Sequence, residues 1–63
     1  MKVRTVLKRL NSEGWALDRQ KGLHRQLIHP DKPGRVTVAG HPNLDLQYDT
    51  LKSIYQQAGW GKP

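Results

Sequence analysis

Two stripes of aliphatic side chains, one at each end of the chain, constrain the fold more than any other feature. Val3, Val6, Leu7 and Leu10 recur at i, i+3, i+4 and i+7, which gathers them on one face of an α-helix. Leu51, Ile54, Tyr55 and Ala58 repeat that spacing near the other end. Gly14 follows the first stripe as a stop and Gly59 the second, with Asp49 or Thr50 available to cap the second helix. Lys2, Arg4, Lys8 and Arg9 lie largely off the first stripe. A basic amphipathic helix can bind a membrane surface or a partner's groove, but four aliphatics on one stripe are more simply the core face of a small domain.

Between the stripes the periodicity changes from 3.6 to 2. Trp15, Leu17 and Arg19 alternate with Ala16, Asp18 and Gln20, the pattern of a strand. Lys21-Gly22 offers a tight turn, because glycine reaches positive φ without a Cβ clash. A second strand follows over 23–29, and Pro30-Asp31-Lys32-Pro33-Gly34 spells another turn. Arg35 to Val38 forms a third strand. Residues 39–48 contain Gly40, Pro42 and Asn43 and read as an irregular surface connection that Leu44 and Leu46 can pin to the core. Residues 60–63 form a loose tail, unless Trp60 folds back.

The expected order is therefore α-β-β-β-α, an α+β fold with a single domain over residues 1–63. Two apolar helical stripes need only one face of a three-stranded antiparallel sheet, so the other face stays open. This is the layout of a double-stranded-RNA-binding domain. At 63 residues such a chain buries only about 60% of the surface it exposes when unfolded, and Trp15 and Tyr55 are its natural anchors.

Composition narrows the partners. Eleven Lys and Arg against five Asp and Glu give a net charge of +6, which draws a domain this small to polyanions or to an acidic protein. The bland reading is a solvated face that keeps the domain soluble. Absence of Cys excludes a disulfide framework and thiolate metal sites, in keeping with a cytoplasmic location. No apolar run approaches the ~20 residues of a membrane span, and Met1-Lys2-Val3-Arg4 lacks the apolar segment of a signal peptide.

The stretch Arg19-Gln20-Lys21-Gly22-Leu23-His24-Arg25-Gln26-Leu27 carries the chemistry. If Leu23 and Leu27 face the helices, alternation turns His24 and Gln26 to the open face; Ile28 would then point outward too. An imidazole among cations suits phosphodiesters. It can take the proton of a ribose 2′-hydroxyl, so that the oxygen attacks the adjacent phosphate and a 2′,3′-cyclic phosphate forms. Lys21, Arg25 and Arg35 are the candidates to hold the phosphate, with Gln26 beside them. The acid for the leaving 5′-oxygen is left open: a second histidine, a lysine or water. A single histidine on a short strand is more often structural or merely exposed. His29, before Pro30, reads as turn chemistry, and a ring nitrogen of His41 can tie the long connection down. The histidines lack metal-ligand spacing, and no carboxylate pair, glycine-rich phosphate loop or Ser-His-Asp set stands out, so no metal or cofactor is expected.

These pieces occur in a familiar order: Gly14-Trp15, the stretch from Arg19 to Gln26, His29-Pro30, Pro33-Gly34-Arg35-Val36-Thr37-Val38, Gly40-His41-Pro42, Thr50-Leu51-Lys52-Ser53-Ile54 and Gln57-Ala58-Gly59. Over nearly its whole length the chain resembles the HicA toxins of HicA–HicB toxin–antitoxin systems. The resemblance implies a metal-independent mRNA interferase with a double-stranded-RNA-binding-domain-like fold. It implies mRNA as substrate and a HicB-type antitoxin as partner, with neither a membrane nor direct DNA binding involved. The family's catalytic histidine, in a Gly-Ser-His motif, falls on His24, and His41 matches a histidine often seen in the family, read as structural or RNA-positioning. The chain departs by placing Leu23 where serine is usual and Leu27 where an aromatic is common. Two other readings share the same residues: a non-catalytic double-stranded-RNA-binding module, and an inactive subunit that only engages the antitoxin.

Overall fold

The computed structural model describes residues 1–63. Helix α1 spans Val3–Ser12, strands β1, β2 and β3 span Ala16–Lys21, His24–Ile28 and Val36–Ala39, and helix α2 spans Tyr48–Ala58. The sheet is antiparallel in the order β1-β2-β3. Both helices lie on one face of it, in the α-β-β-β-α arrangement expected from the two stripes.

One core joins the layers. Val3, Val6 and Leu10 from α1 meet Leu27 from β2, Val36 and Val38 from β3, and Ile54 and Ala58 from α2, with Trp15 filling the centre. Every member is at most 2% exposed. Leu7, Leu46 and Leu51 pack at its margin, and so does Trp60.

The helix ends depart from the expected caps. No side chain caps α1; instead the Val3 and Arg4 N–H groups donate to the Leu44 and Pro42 carbonyls at 2.9 and 3.0 Å. These orphan donors of a helix start are thus satisfied by the long connection, which Leu46 N–H to Met1 O and the Lys2–Asp45 bridge hold alongside. Helix α2 starts one residue before Asp49 and two before Thr50. Its N-cap is Gln47, with no side-chain hydrogen bond, while Asp49 falls inside the first turn. Gly59 ends it in the left-handed conformation, as expected.

The sheet also differs in two places. Lys21 pairs with His24, so the hairpin loop is Gly22-Leu23 rather than Lys21-Gly22, and Leu23 leaves the strand. Gly22 takes φ +58° and Leu23 does not take positive φ, the pattern of a type II′ turn with glycine first. In β1 the register slips between Leu17 and Arg19, leaving Asp18 as a bulge residue. The strict alternation read from the sequence therefore fails at Asp18.

Trp60 is not part of a loose tail. Its indole N–H donates to Glu13 Oε1 at 2.7 Å, its ring meets Tyr55 edge-on, and the Arg9 guanidinium lies 3.9 Å from its centroid. Residues 61–63 are exposed.

Candidate functional site

Strand pairing fixes which side chains share a face. Leu27 and its partner Val36 are buried toward the helices, so alternation sends His24, Gln26 and Ile28 of β2 to the uncovered side. His24 is exposed. Its partner on β1 is Lys21, and its partner on β3 is Ala39. The Gly40 N–H donates to Leu23 O at 3.2 Å, which makes His24–Ala39 a non-hydrogen-bonded pair, the closer kind, with Cα atoms about 4.5 Å apart. The imidazole thus stands between an ammonium on one side and a bare methyl group on the other.

The bulge changes the charge of this face. Without Asp18 as an extra residue, Arg19 would share the side of Leu17, which pairs with the buried Leu27. With it, Arg19 pairs with Gln26 and joins Lys21 and His24 on the open side. Neither Arg19 nor Lys21 is held in an ion pair. Strict period-two reading puts Arg19 on the other face; an aspartate next to arginine in a short strand is the only local trace of the bulge.

Two expected phosphate ligands stand elsewhere. Arg25 pairs with the buried Val38 and so lies on the helix side, where its Nη1 donates to Gly40 O at 2.9 Å and to Leu23 O at 3.4 Å. Arg35 directly precedes Val36 and is bound to Asp18 in an ion pair, linking the outer strands across β2. That guanidinium, chiefly through its hydrogen bond, holds the Asp18 carboxyl below its usual range. Of the residues singled out in the sequence, Lys21, His24 and Gln26 come together; Arg25 and Arg35 are engaged by the protein itself.

The other histidines divide clearly. His29 donates from Nε2 to the Glu13 carbonyl at 2.8 Å and accepts at Nδ1 from the Asp31 N–H at 3.0 Å; the carbonyl fixes the tautomer. Its ring also meets Trp15 edge-on at 5.3 Å, which makes it a structural tie between the end of α1 and the turn after β2. His41 is exposed and its ring makes no hydrogen bond in the chain. The tie expected of that ring comes from its backbone, whose carbonyl accepts the Leu44 N–H at 3.0 Å.

The chain encloses no pocket. Its candidate site is a flat, cationic strip along an uncovered sheet, suited to a polymer lying across it and not to a small molecule that must be surrounded. Residues 3–60 match the protein family described as the HicA toxin of bacterial toxin-antitoxin. No curated protein matches the chain.

Proposed function

Since the chain belongs to the HicA toxin family of bacterial toxin–antitoxin systems, we propose that it acts as an endoribonuclease on mRNA, with His24 as the general base. The observation that carries this reading is the setting of His24: an exposed imidazole on an uncovered sheet face, with Lys21 directly opposite and Arg19 and Gln26 alongside. His24 takes the 2′-hydroxyl proton, and the freed oxygen attacks phosphorus. Lys21 and Arg19 offset the charge that builds on the non-bridging oxygens. Gln26 offers an amide to the neighbouring nucleotide. Arg35 reaches phosphate only by leaving Asp18, and Arg25 only by leaving two carbonyls, so both are secondary to the free cations. The chemistry needs no metal.

The partner is a HicB-type antitoxin that covers this same face. Ile28, 39% exposed on the open side, gives such a partner an apolar contact at the end of β2 away from His24. Occupation of the strip by acidic side chains blocks RNA by direct competition.

Purified protein should cut RNA in excess EDTA, and His24→Ala should remain folded while losing at least about 10²-fold in rate, the lower end of what a general base contributes. Undiminished cutting by His24→Ala would remove the assignment. Binding to duplex RNA without cleavage under any condition would favour a non-catalytic module instead.

A further inference from the structure

We propose that His41 is the general acid that protonates the leaving 5′-oxygen, and that Arg25 positions it; the proposal rests on the RNA-cleaving reading given above. The peptide group joining Gly40 to His41 is fixed to the strand that carries His24. Its carbonyl accepts from Arg25 at 2.9 Å, and the Gly40 N–H is held by Leu23 O at 3.2 Å. Leu23 and Arg25 are the two chain neighbours of His24. Two Cα steps beyond Ala39, His41 lies with its Cα within roughly 12 Å of the His24 Cα, a span that two histidine side chains can close around one phosphodiester.

Gly40 marks the point where the chain leaves the sheet. A Cβ on that residue would meet Leu44 Cδ2 at 2.5 Å and Val3 Cγ2 at 3.6 Å, so the Cβ position points to the helix layer. Alternation places Ala39 on the open face beside His24, and His41, exposed, begins the connection just past it. Gly40, at φ +115°, is the residue that lets the chain leave β3 there without a clash. Ala39 contributes no bulk beside His24, and the His41 ring is free of any partner that would hold its nitrogens. Of the three histidines, His29 has both nitrogens engaged. Lys21 is near enough to act, but an ammonium gives up its proton near neutral pH less readily than an imidazolium; its place is charge stabilisation.

The step balances with these two groups alone. His24 accepts the 2′-hydroxyl proton as the 2′-oxygen bonds to phosphorus. The bond from phosphorus to the 5′-oxygen breaks, its electron pair stays on that oxygen, and the proton of the His41 imidazolium goes to it. The products are a 2′,3′-cyclic phosphate and a 5′-hydroxyl; solvent returns the proton from His24 to His41.

The deciding experiment replaces the 5′-bridging oxygen at a mapped cut site by sulfur, a leaving group that departs without protonation. Wild type should cut both substrates. His41→Ala should lose on the order of 10²-fold or more with oxygen and approach wild-type rate with sulfur. Arg25→Ala should show a smaller defect with the same rescue, whereas His24→Ala should stay slow on both. A His41→Ala defect equal on the two substrates, or no defect, would overturn the acid assignment while leaving RNA cleavage by His24 intact. A wild type that cuts neither substrate would overturn both readings.

Discussion

Trp15 shows how much one side chain carries in a core this small. It is 2% exposed and sits among residues from every layer, yet its indole N–H is buried without a hydrogen-bond partner, a cost of about 1–3 kcal/mol. Trp15→Ala should lose about 3–5 kcal/mol from the cavity. Trp15→Phe fills most of the volume and removes the orphan donor, so urea unfolding should place it well above the alanine variant and close to wild type. Its role as an anchor was legible in the sequence, because one tryptophan between two helical stripes has few other places to go. The facing of His24 was legible for the same reason, once Leu27 was given to the core. The same parity that sends His24 outward sends Arg25 inward. A charged residue at an inward position resists that reading until its carbonyl acceptors are seen, and those lie 2 and 15 residues away.

At the scale of elements, stripes and turns were readable and the joins between elements were not. The bulge at Asp18 is a property of the β1–β2 pair, and no period within one strand contains it. Asp18→Asn should release Arg35 from its ion pair, making RNA binding tighter and more sensitive to salt while the sheet stays folded. Gel shifts at several salt concentrations against wild type would show it; unchanged affinity would mean that Arg35 does not reach phosphate. The start of α2 was misplaced because Asp49 and Thr50 are strong capping residues and Gln47 is not. Gln47 already has cap-like dihedrals, φ −70° and ψ 156°, without a bond from its side chain. Gln47→Asp should therefore stabilise the protein by about 1 kcal/mol, read as a rise in the urea midpoint with an unchanged slope. Capping of α1 by Leu44 and Pro42 carbonyls could not be read locally, since the acceptors lie some 40 residues from the donors.

Across the whole molecule, the two ends of the chain are fastened by few groups. Glu13, at the end of α1, is held below the usual carboxylate range, first by the Trp60 indole N–H and then by Arg9. Its folded-state pKa is lowered, so its contribution is complete above the ordinary carboxylate pKa and is lost as pH falls through the lower folded value. The Trp60 indole N–H resonance should accordingly stay at its docked position through mild acidification and move only below that range; Glu13→Gln should weaken the docking at neutral pH. The net charge of +6 is spread over both layers, and only part of it serves the strip. Lys21→Ala should lower the salt slope of single-stranded RNA binding by about 0.7, one phosphate contact, while Lys32→Ala, on the turn before β3, should leave it unchanged. These effects matter only if the open face does the chemistry assigned to it, which end-group analysis of cleaved RNA tests most directly, with wild type and His24→Ala side by side in EDTA. The account predicts 2′,3′-cyclic phosphate and 5′-hydroxyl ends from wild type and almost no cleavage by the variant. Ends carrying a 3′-hydroxyl, or equal cutting by both proteins, would contradict it.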